Sequence, residues 1–179
     1  LAAEAALRTG AGKAQVVAPD PVAVPIAVRM PEALVQGGPV NAAGDLDASA
    51  SNHVAQFASD ADATLMGPGL LDPAGAASLV AACVPHVSTV LVLDALGLVW
   101  VTEDQSRLQQ FAGRCVISPN LTELALILGE DEATVEADEA KYVRKLAKST
   151  GVVVTSGGAT TWIATPDGEL WRGEGGGPG

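Results

Sequence analysis

The sequence predicts an α/β fold, a three-layer αβα sandwich with a mostly parallel sheet and helices on both faces. Three observations carry this. Short apolar runs such as Val152 to Val154 are bounded by Gly or Ser, which is how a strand covered on both faces looks in sequence. These runs alternate with segments that carry helix caps, the pattern of repeated βα steps. Apolar residues make up 48% of the 179 positions but aromatics only 3%, so the core must be mostly Ala, Val and Leu, small enough to let helices lie close on a sheet. A chain of this size buries roughly 70% of its unfolded surface, and residues 1–179 read as a single domain.

Taken in order, Leu1 to Thr9 is Ala-rich and reads as the end of a helix closed by Gly10. Gln15 to Ala18 reads as a strand that Pro19 ends. Gly12-Lys13 is no phosphate loop, because GxxxxGK[ST] needs Gly where Leu7 stands and Ser or Thr where Ala14 stands. Prolines at 21, 25, 31 and 39 exclude long helices. That leaves short helices near Val22 to Val28 and Asn52 to Phe57, with Gly37-Gly38 and Ala42 to Ser51 as surface connection. His53 and His86 have no partner at metal spacing and read as surface or capping residues.

Order strengthens at Ala63 to Met66, a short strand followed by the tight loop Gly67-Pro68-Gly69. Asp72-Pro73 supplies an N-cap and a first-turn Pro, opening a helix to about Val84. Thr89 to Leu93 is the next strand and ends on Asp94. Ala95-Leu96-Gly97 turns away, and Glu103 to Phe111 reads as a helix. An Asp at the carboxyl end of a buried strand is where α/β sheets place functional residues; its plain alternative is to cap a turn. Arg114 to Ser118 repeats the scheme. Asn120 and Glu123 then stand at capping-box spacing, before a helix through Leu128 that Gly129 closes. A helix from about Glu136 to Ser149 carries acidic residues in its first turn and Lys141, Arg144, Lys145 and Lys148 later, as the macrodipole favours. Last, Ser156-Gly157-Gly158 follows the Val152 strand, and Thr160 to Thr165 and Glu169 to Arg172 flank the hairpin turn Pro166-Asp167-Gly168.

Right-handed crossovers bring four loops to the carboxyl edge of such a sheet: Gly67 to Gly69, Asp94, Ser118 to Glu123, and Ser156 to Thr160. The net charge of −11 and the pI near 4.4 repel polyanions, which excludes nucleic acid as a partner. A phosphorylated small molecule still fits where backbone N–H groups and helix N-termini build the site. No run reaches the ~18 apolar residues of a membrane span, so no membrane partner is expected. Cys83 and Cys115 lie far apart without metal-spaced neighbours and read as reduced thiols of a cytoplasmic protein. Serine hydrolase chemistry is set aside, since no GxSxG occurs. The chain begins without Met in what reads as mid-helix and ends in GEGGGPG, so it reads as truncated at both ends.

Six blocks stand along the chain in this order: AALRTGAG at Ala5 to Gly12, PEALV at Pro31 to Val35, ADATLMGPGL at Ala61 to Leu70, VLDALGL at Val92 to Leu98, SPNLTELALILG at Ser118 to Gly129, and VVVTSGGATTWIATPDG at Val152 to Gly168. With these the chain resembles the ribokinase-like superfamily and, within it, the NAD(P)H-hydrate dehydratase family (the carbohydrate-kinase-like YjeF C-terminal domain). The resemblance implies ADP- or ATP-dependent dehydration of hydrated NADH or NADPH, with Mg2+, by a homo-oligomer. It implies that Gly67, Gly69, Asp94 and Asn120 bind the hydrated substrate, that Ser156, Gly157, Gly158, Ala159 and Thr160 line the adenine nucleotide, and that Glu123 serves the metal. Chemistry that phosphorylates a hydroxyl and then expels it needs positioned phosphates, a magnesium ion and an anion hole more than covalent catalysis.

Two departures from the family pattern open other readings. Asn120 stands where the family usually has His in a PHPGE-like block, and Asn120-Leu121-Thr122-Glu123 resembles the NxxE motif of the superfamily's kinases. A small-molecule kinase acting on a sugar or vitamin precursor is therefore the alternative. Ser156 stands where a Lys commonly precedes the nucleotide-loop glycine, and losing a charged phosphate donor costs ~1.5–3 kcal/mol. The family's GxGD loop, with its catalytic Asp, should follow GEGGGPG and is absent from these residues, so no catalytic residue is assigned. A nucleotide-binding module without catalysis is the third reading.

Overall fold

A computed structural model describes residues 1–158 and 160–174. After helix α1 (Ala2–Arg8), the first βαβ unit comprises β1 (Ala14–Pro19), α2 (Asp20–Arg29) and β2 (Ala33–Gly38). β1 and β2 pair in parallel from Ala14 opposite Ala33 to Pro19 opposite Gly38. Sequence reasoning missed β2 because its last residues, Gly37 and Gly38, read as a loop. They are glycine for a packing reason: a Cβ on Gly37 would overlap the Asp20 carboxylate, and one on Gly38 would lie 3.0 Å from Leu46 Cδ2. Helix α2 also outruns its expected length, with Pro21 in its first turn, where an N–H is not needed, and Pro25 inside it.

Part of the expected surface connection at 42–51 is ordered. Val40 bridges Leu46, and a 3-10 turn at Ala48–Ala50 leads into α3 (Ser51–Ala58). From there the chain builds β3 (Ala63–Met66), α4 (Pro73–Cys83), β4 (Val90–Asp94), α5 (Val99–Thr102), β5 (Cys115–Ser118), α6 (Leu121–Leu128), α7 (Glu132–Glu136), α8 (Glu139–Thr150) and β6 (Val153–Ser156). The hairpin β7 (Thr160–Ala164) and β8 (Leu170–Glu174) follows. It closes as expected, with Thr165 N donating to Glu169 O at 3.1 Å and Gly168 at φ +100°.

One helix expectation is corrected, and a second helix is found with a later start. The segment expected as a helix from Glu103 is a 3-10 helix over Gln105–Phe111, opened by Asp104, whose side chain accepts from Ser106 N. It is preceded by helical turns at 95–102 that place Leu98, Trp100 and Val101 in the core. The helix expected from about Glu136 to Ser149 is α8, which starts at Glu139 because Asp138 caps it by accepting from Lys141 N at 3.3 Å; the short α7 before it, capped by Asp131 accepting from Thr134 N at 3.3 Å, was not expected.

β1 and β2 form their own ladder, while β3 to β8 form a six-stranded sheet in chain order. β3 to β6 run parallel and β7 and β8 antiparallel. Parallel neighbours in chain order with right-handed crossovers carry α4 to α8 on one face. Burial agrees. Leu91, Leu93, Cys115, Ile117, Val154 and Ala164 share that face and are at most 3% exposed, while Leu65, Val90, Ile163 and Trp171 on the other are 36–48% exposed. The helical layer thus covers one face of this sheet completely and the other is covered in part. Among the described residues no helix is long and apolar enough to cross a membrane.

Cys83 and Cys115 are free and buried. Burial pushes their thiols from the ordinary 9.0 up to about 11 and about 12, with Arg114 partly opposing the shift of Cys115. The folded protein thus retains protons that the unfolded chain gives up above pH 9, so this contribution to stability is complete below pH 9 and is lost as pH rises toward 12. Unfolding midpoints in reductant, measured from pH 7 to 11, are expected to fall more steeply for the native protein than for the Cys83→Ala/Cys115→Ala variant. Parallel curves would contradict this.

Candidate nucleotide and substrate site

The carboxyl edge of the sheet is joined by close backbone contact. Gly67, directly after β3, is buried at φ +121°, and a Cβ there would overlap the Asp94 carbonyl oxygen and lie 2.5 Å from Gly97 N. A Cβ on Gly97 would lie 2.5 Å from Met66 O. Only glycine permits this approach at either position. Gly67 O then accepts from Leu70 N at 3.2 Å, with Pro68 and the positive-φ Gly69 at the two central positions, the residue pattern of a type II turn. Gly69 is exposed and has nothing within 4 Å of a built Cβ. So Gly67 leans on β4, and Gly69 is the member of the pair with open space beside it.

Asp94 ends β4 half-buried and makes no side-chain hydrogen bond among the described residues. It is paired in register with Ser118 at the end of β5. The register Val116 opposite Val153 continues to place Thr155 beside Ser118 on the same face. A carboxylate and two hydroxyl residues therefore form a row across three strand ends on the less covered face. Ala95 follows at φ +48°, a left-handed conformation that costs a non-glycine residue roughly 1–2 kcal/mol and is typical of turns that aim functional groups.

Asn120 forms a parallel bridge with Gly157, which brings the α6 N-terminus to the Gly157-Gly158 loop. Asn120 Oδ1 accepts from Glu123 N, and Glu123 Oε2 accepts from Asn120 N, each at 2.9 Å, a complete capping box. Among the described residues no group of three or more His, Cys, Asp or Glu is placed to hold a metal, so Glu123 stands without a cluster. Gly157 and Gly158 are exposed, and a Cβ on Gly157 would meet nothing within 4 Å. Ser156 is different. It is fully buried, shares the helix-covered face with Val154, and donates its hydroxyl to Glu139 Oε1 in the first turn of α8. What Ser156 offers the edge is backbone. Thr160 is half-buried at the start of β7, and Ala159 lies outside the described residues.

Sequence reasoning missed Gly97, Glu139 and Asp45. Asp45 is buried in the stretch taken as surface connection and accepts the Leu71 and Asp72 amides. The one local signal is Asn41 four residues earlier, whose Oδ1 accepts from Ala43 N and Asp45 N to form the turn that carries Asp45 inward.

A mostly parallel sheet with glycine turns at its carboxyl edge defines an α/β protein whose ligand crevice lies at that edge, and its fold is that of the ribokinase-like proteins. Superposition agrees, giving a TM-score of 0.79 with a ribokinase-like superfamily protein from Enterococcus faecalis V583, at 21% identity over 98% of this chain and 57% of that one. The ADP/ATP-dependent NAD(P)H-hydrate dehydratase of Bacillus subtilis, co-crystallised with ATP/Mg2+ and soaked with CoA, gives 0.70 at 22% identity over 96% and 58%. The family model described as NAD(P)H-hydrate dehydratase matches residues 1–179. An ADP-dependent (S)-NAD(P)H-hydrate dehydratase of Xanthomonas campestris pv. campestris is 41% identical over 182 residues, covering 100% of this chain and 60% of that protein. The chain belongs to the NAD(P)H-hydrate dehydratase family. It spans about 60% of the length of that relative.

Because the β3–β4 approach admits no side chain, Gly67→Ala and Gly97→Ala are each expected to cost about 3 kcal/mol in urea unfolding, and Gly69→Ala about 1 kcal/mol for its positive φ alone. Equal losses at all three positions would contradict the geometry.

Proposed function

We propose that the protein restores NADH or NADPH from their hydrated forms in an ADP- or ATP-dependent dehydration. Family membership over the whole chain supports this, as do the names of its relatives. The observation that carries it is the unbroken adjacency of the Gly67 turn, Asp94, Ser118, Asn120 and Gly157 along one sheet edge. That edge offers one end to a substrate and the other to a nucleotide.

In this reading Gly69, with its open surroundings, and Asp94, with its free carboxylate, receive the hydrated nicotinamide nucleotide, with Gly67 setting their spacing and Asn120 closing the far side. Gly157 and Gly158 bring backbone N–H groups against the nucleotide phosphates, and Ser156, Ala159 and Thr160 frame that loop. Donors of this kind bind phosphate without a net positive protein, which suits a chain of charge −11. Mg2+ usually keeps several waters and is held by one or two carboxylates plus substrate phosphates. The residues fit a magnesium ion that arrives with the nucleotide: Glu123 is near the loop with one oxygen engaged in the capping box, and no cluster competes among the described residues. Bound there, the ion would neutralise charge on the transferring phosphoryl group. Phosphoryl transfer makes the hydroxyl of the hydrate a phosphate leaving group, and its departure with loss of a proton restores the dihydronicotinamide ring. Asn120 and Glu123 form a capping box that any helix start can carry, so their spacing does not by itself favour a kinase reading. The same reading places the protein in the cytoplasm as a homo-oligomer, away from nucleic acid and membranes.

The whole protein, given hydrated NADH or NADPH with Mg2+ and ADP or ATP, is expected to regenerate the reduced dinucleotide's absorbance only when nucleotide is present. Absence of nucleotide-dependent recovery would overturn the reading. Asp94→Ala is expected to lower kcat/KM for the hydrate about 100-fold, equivalent to about 2.7 kcal/mol, with little change in melting temperature.

A further inference from the structure

We propose that Asp45 is a positioning residue for the substrate loop, gathering the Leu71 and Asp72 amides on one carboxylate oxygen and so fixing the end of the turn that presents Gly69. The inference rests on the reading of Gly69 and Asp94 as the substrate end of the site. Asp45 is 4% exposed, and its Oδ2 accepts from Leu71 N and Asp72 N, both at 2.6 Å. Bonds from backbone N–H to an ionised acceptor are short and stronger than neutral ones.

The backbone that carries the carboxylate is itself held. Asp45 N donates to Asn41 Oδ1 at 3.1 Å, and Asp45 O accepts from Asn41 N at 2.8 Å. Asn41 Nδ2 reaches across to Asp72 Oδ2 at 3.3 Å, while Asp72 Oδ1 accepts from Ala74 N at 3.2 Å and caps α4. Gly75 leaves room for this crossing, since a Cβ there would lie 2.6 Å from both Asn41 Nδ2 and Asp72 Oδ2. Two loops far apart in sequence are thereby locked into one hydrogen-bonded unit. It lies at the N-terminus of α4, where a carboxylate is also favoured by the helix dipole.

The turn between the two anchors is short. At one end Gly67 lies against Asp94 O and Gly97; at the other, Leu71 and Asp72 hang on Asp45. Pro68, Gly69 and Leu70 span the gap, and Gly69 is held there at φ +89°, exposed. Without Asp45 the far anchor is gone, and two amides in a part-buried loop lose their acceptor. A turn clamped at one end alone no longer fixes Gly69 against Asp94.

Both bonds fall on one oxygen, which makes the test sharp. Asp45→Asn can offer its carbonyl oxygen to the same two amides, whereas Asp45→Ala offers none. In the whole protein, Asp45→Ala is expected to raise KM for hydrated NADH about 30-fold while leaving KM for the nucleotide within about twofold, and Asp45→Asn to return the hydrate KM to within about threefold of wild type. A rise in both KM values alike, or a fall in kcat alone that tracks a lower melting temperature, would assign Asp45 to stability only and overturn the proposal. Amide hydrogen exchange, read without substrate, separates this from the functional reading. Leu70 to Asp72 are expected to exchange about 100-fold faster in Asp45→Ala and near the wild-type rate in Asp45→Asn. Unchanged exchange in Asp45→Ala overturns the clamp, whereas expected exchange in a protein that does not dehydrate the hydrate leaves the clamp standing and removes the functional reading.

Discussion

The carboxyl edge depends on one approach of two backbones, Gly67 after β3 against the Asp94 to Gly97 turn after β4. Neither Gly67 nor Gly97 has space for a Cβ, so the two strand ends touch without intervening side chains. That contact sets how far the Gly67 turn stands from Asp94. It also sits beside Ala95, whose left-handed backbone is held in place by neighbours that cannot move cheaply: Leu93 at 0% and Leu98 at 1% exposure flank it in the core. Interiors packed to near-crystalline density transmit such constraints instead of absorbing them, and the site inherits its geometry from the core beneath it.

From that contact the rest of the edge follows strand by strand. Parallel register sets Asp94 beside Ser118, and the bridge from Asn120 to Gly157 joins the last loop. The groups are divided along the row, with a carboxylate that makes no hydrogen bond among the described residues and two hydroxyls toward the middle, and backbone at the Gly157-Gly158 end. On the proposed reading the arrangement suits a protein of strong negative charge, because a phosphate would be met by amide groups and a helix terminus.

Much of this was legible in the sequence because βα repetition places every β-to-α loop at one edge, whatever the details of each helix. The Gly67 loop, Asp94 and the Asn120 cap were all marked by residue types with a local meaning. Elements decided by distant packing were not. Gly37 and Gly38 look like a loop, yet they make room for Asp20 and Leu46 against β2. Asp138 sets the start of α8 by accepting from Lys141 N, and the short α7 before it carries too few residues for its pattern to stand out in the sequence. Ser156 shows how strand parity corrects a motif: with Val154 facing the helices and Thr155 facing away, Ser156 must face the helices again, where Glu139 takes its hydroxyl. Asp45 was illegible for another reason, since its partners Leu71 and Asp72 are backbone amides and leave no trace in residue type.

The most direct measurement is a crystal structure of the whole protein with ADP, Mg2+ and hydrated NADH. Our account predicts nucleotide phosphates against the Gly157 and Gly158 amides and the hydrated ring beside Gly69 and Asp94. A nucleotide bound away from that loop, or a hydrate placed off the β3–β4 edge, would contradict it.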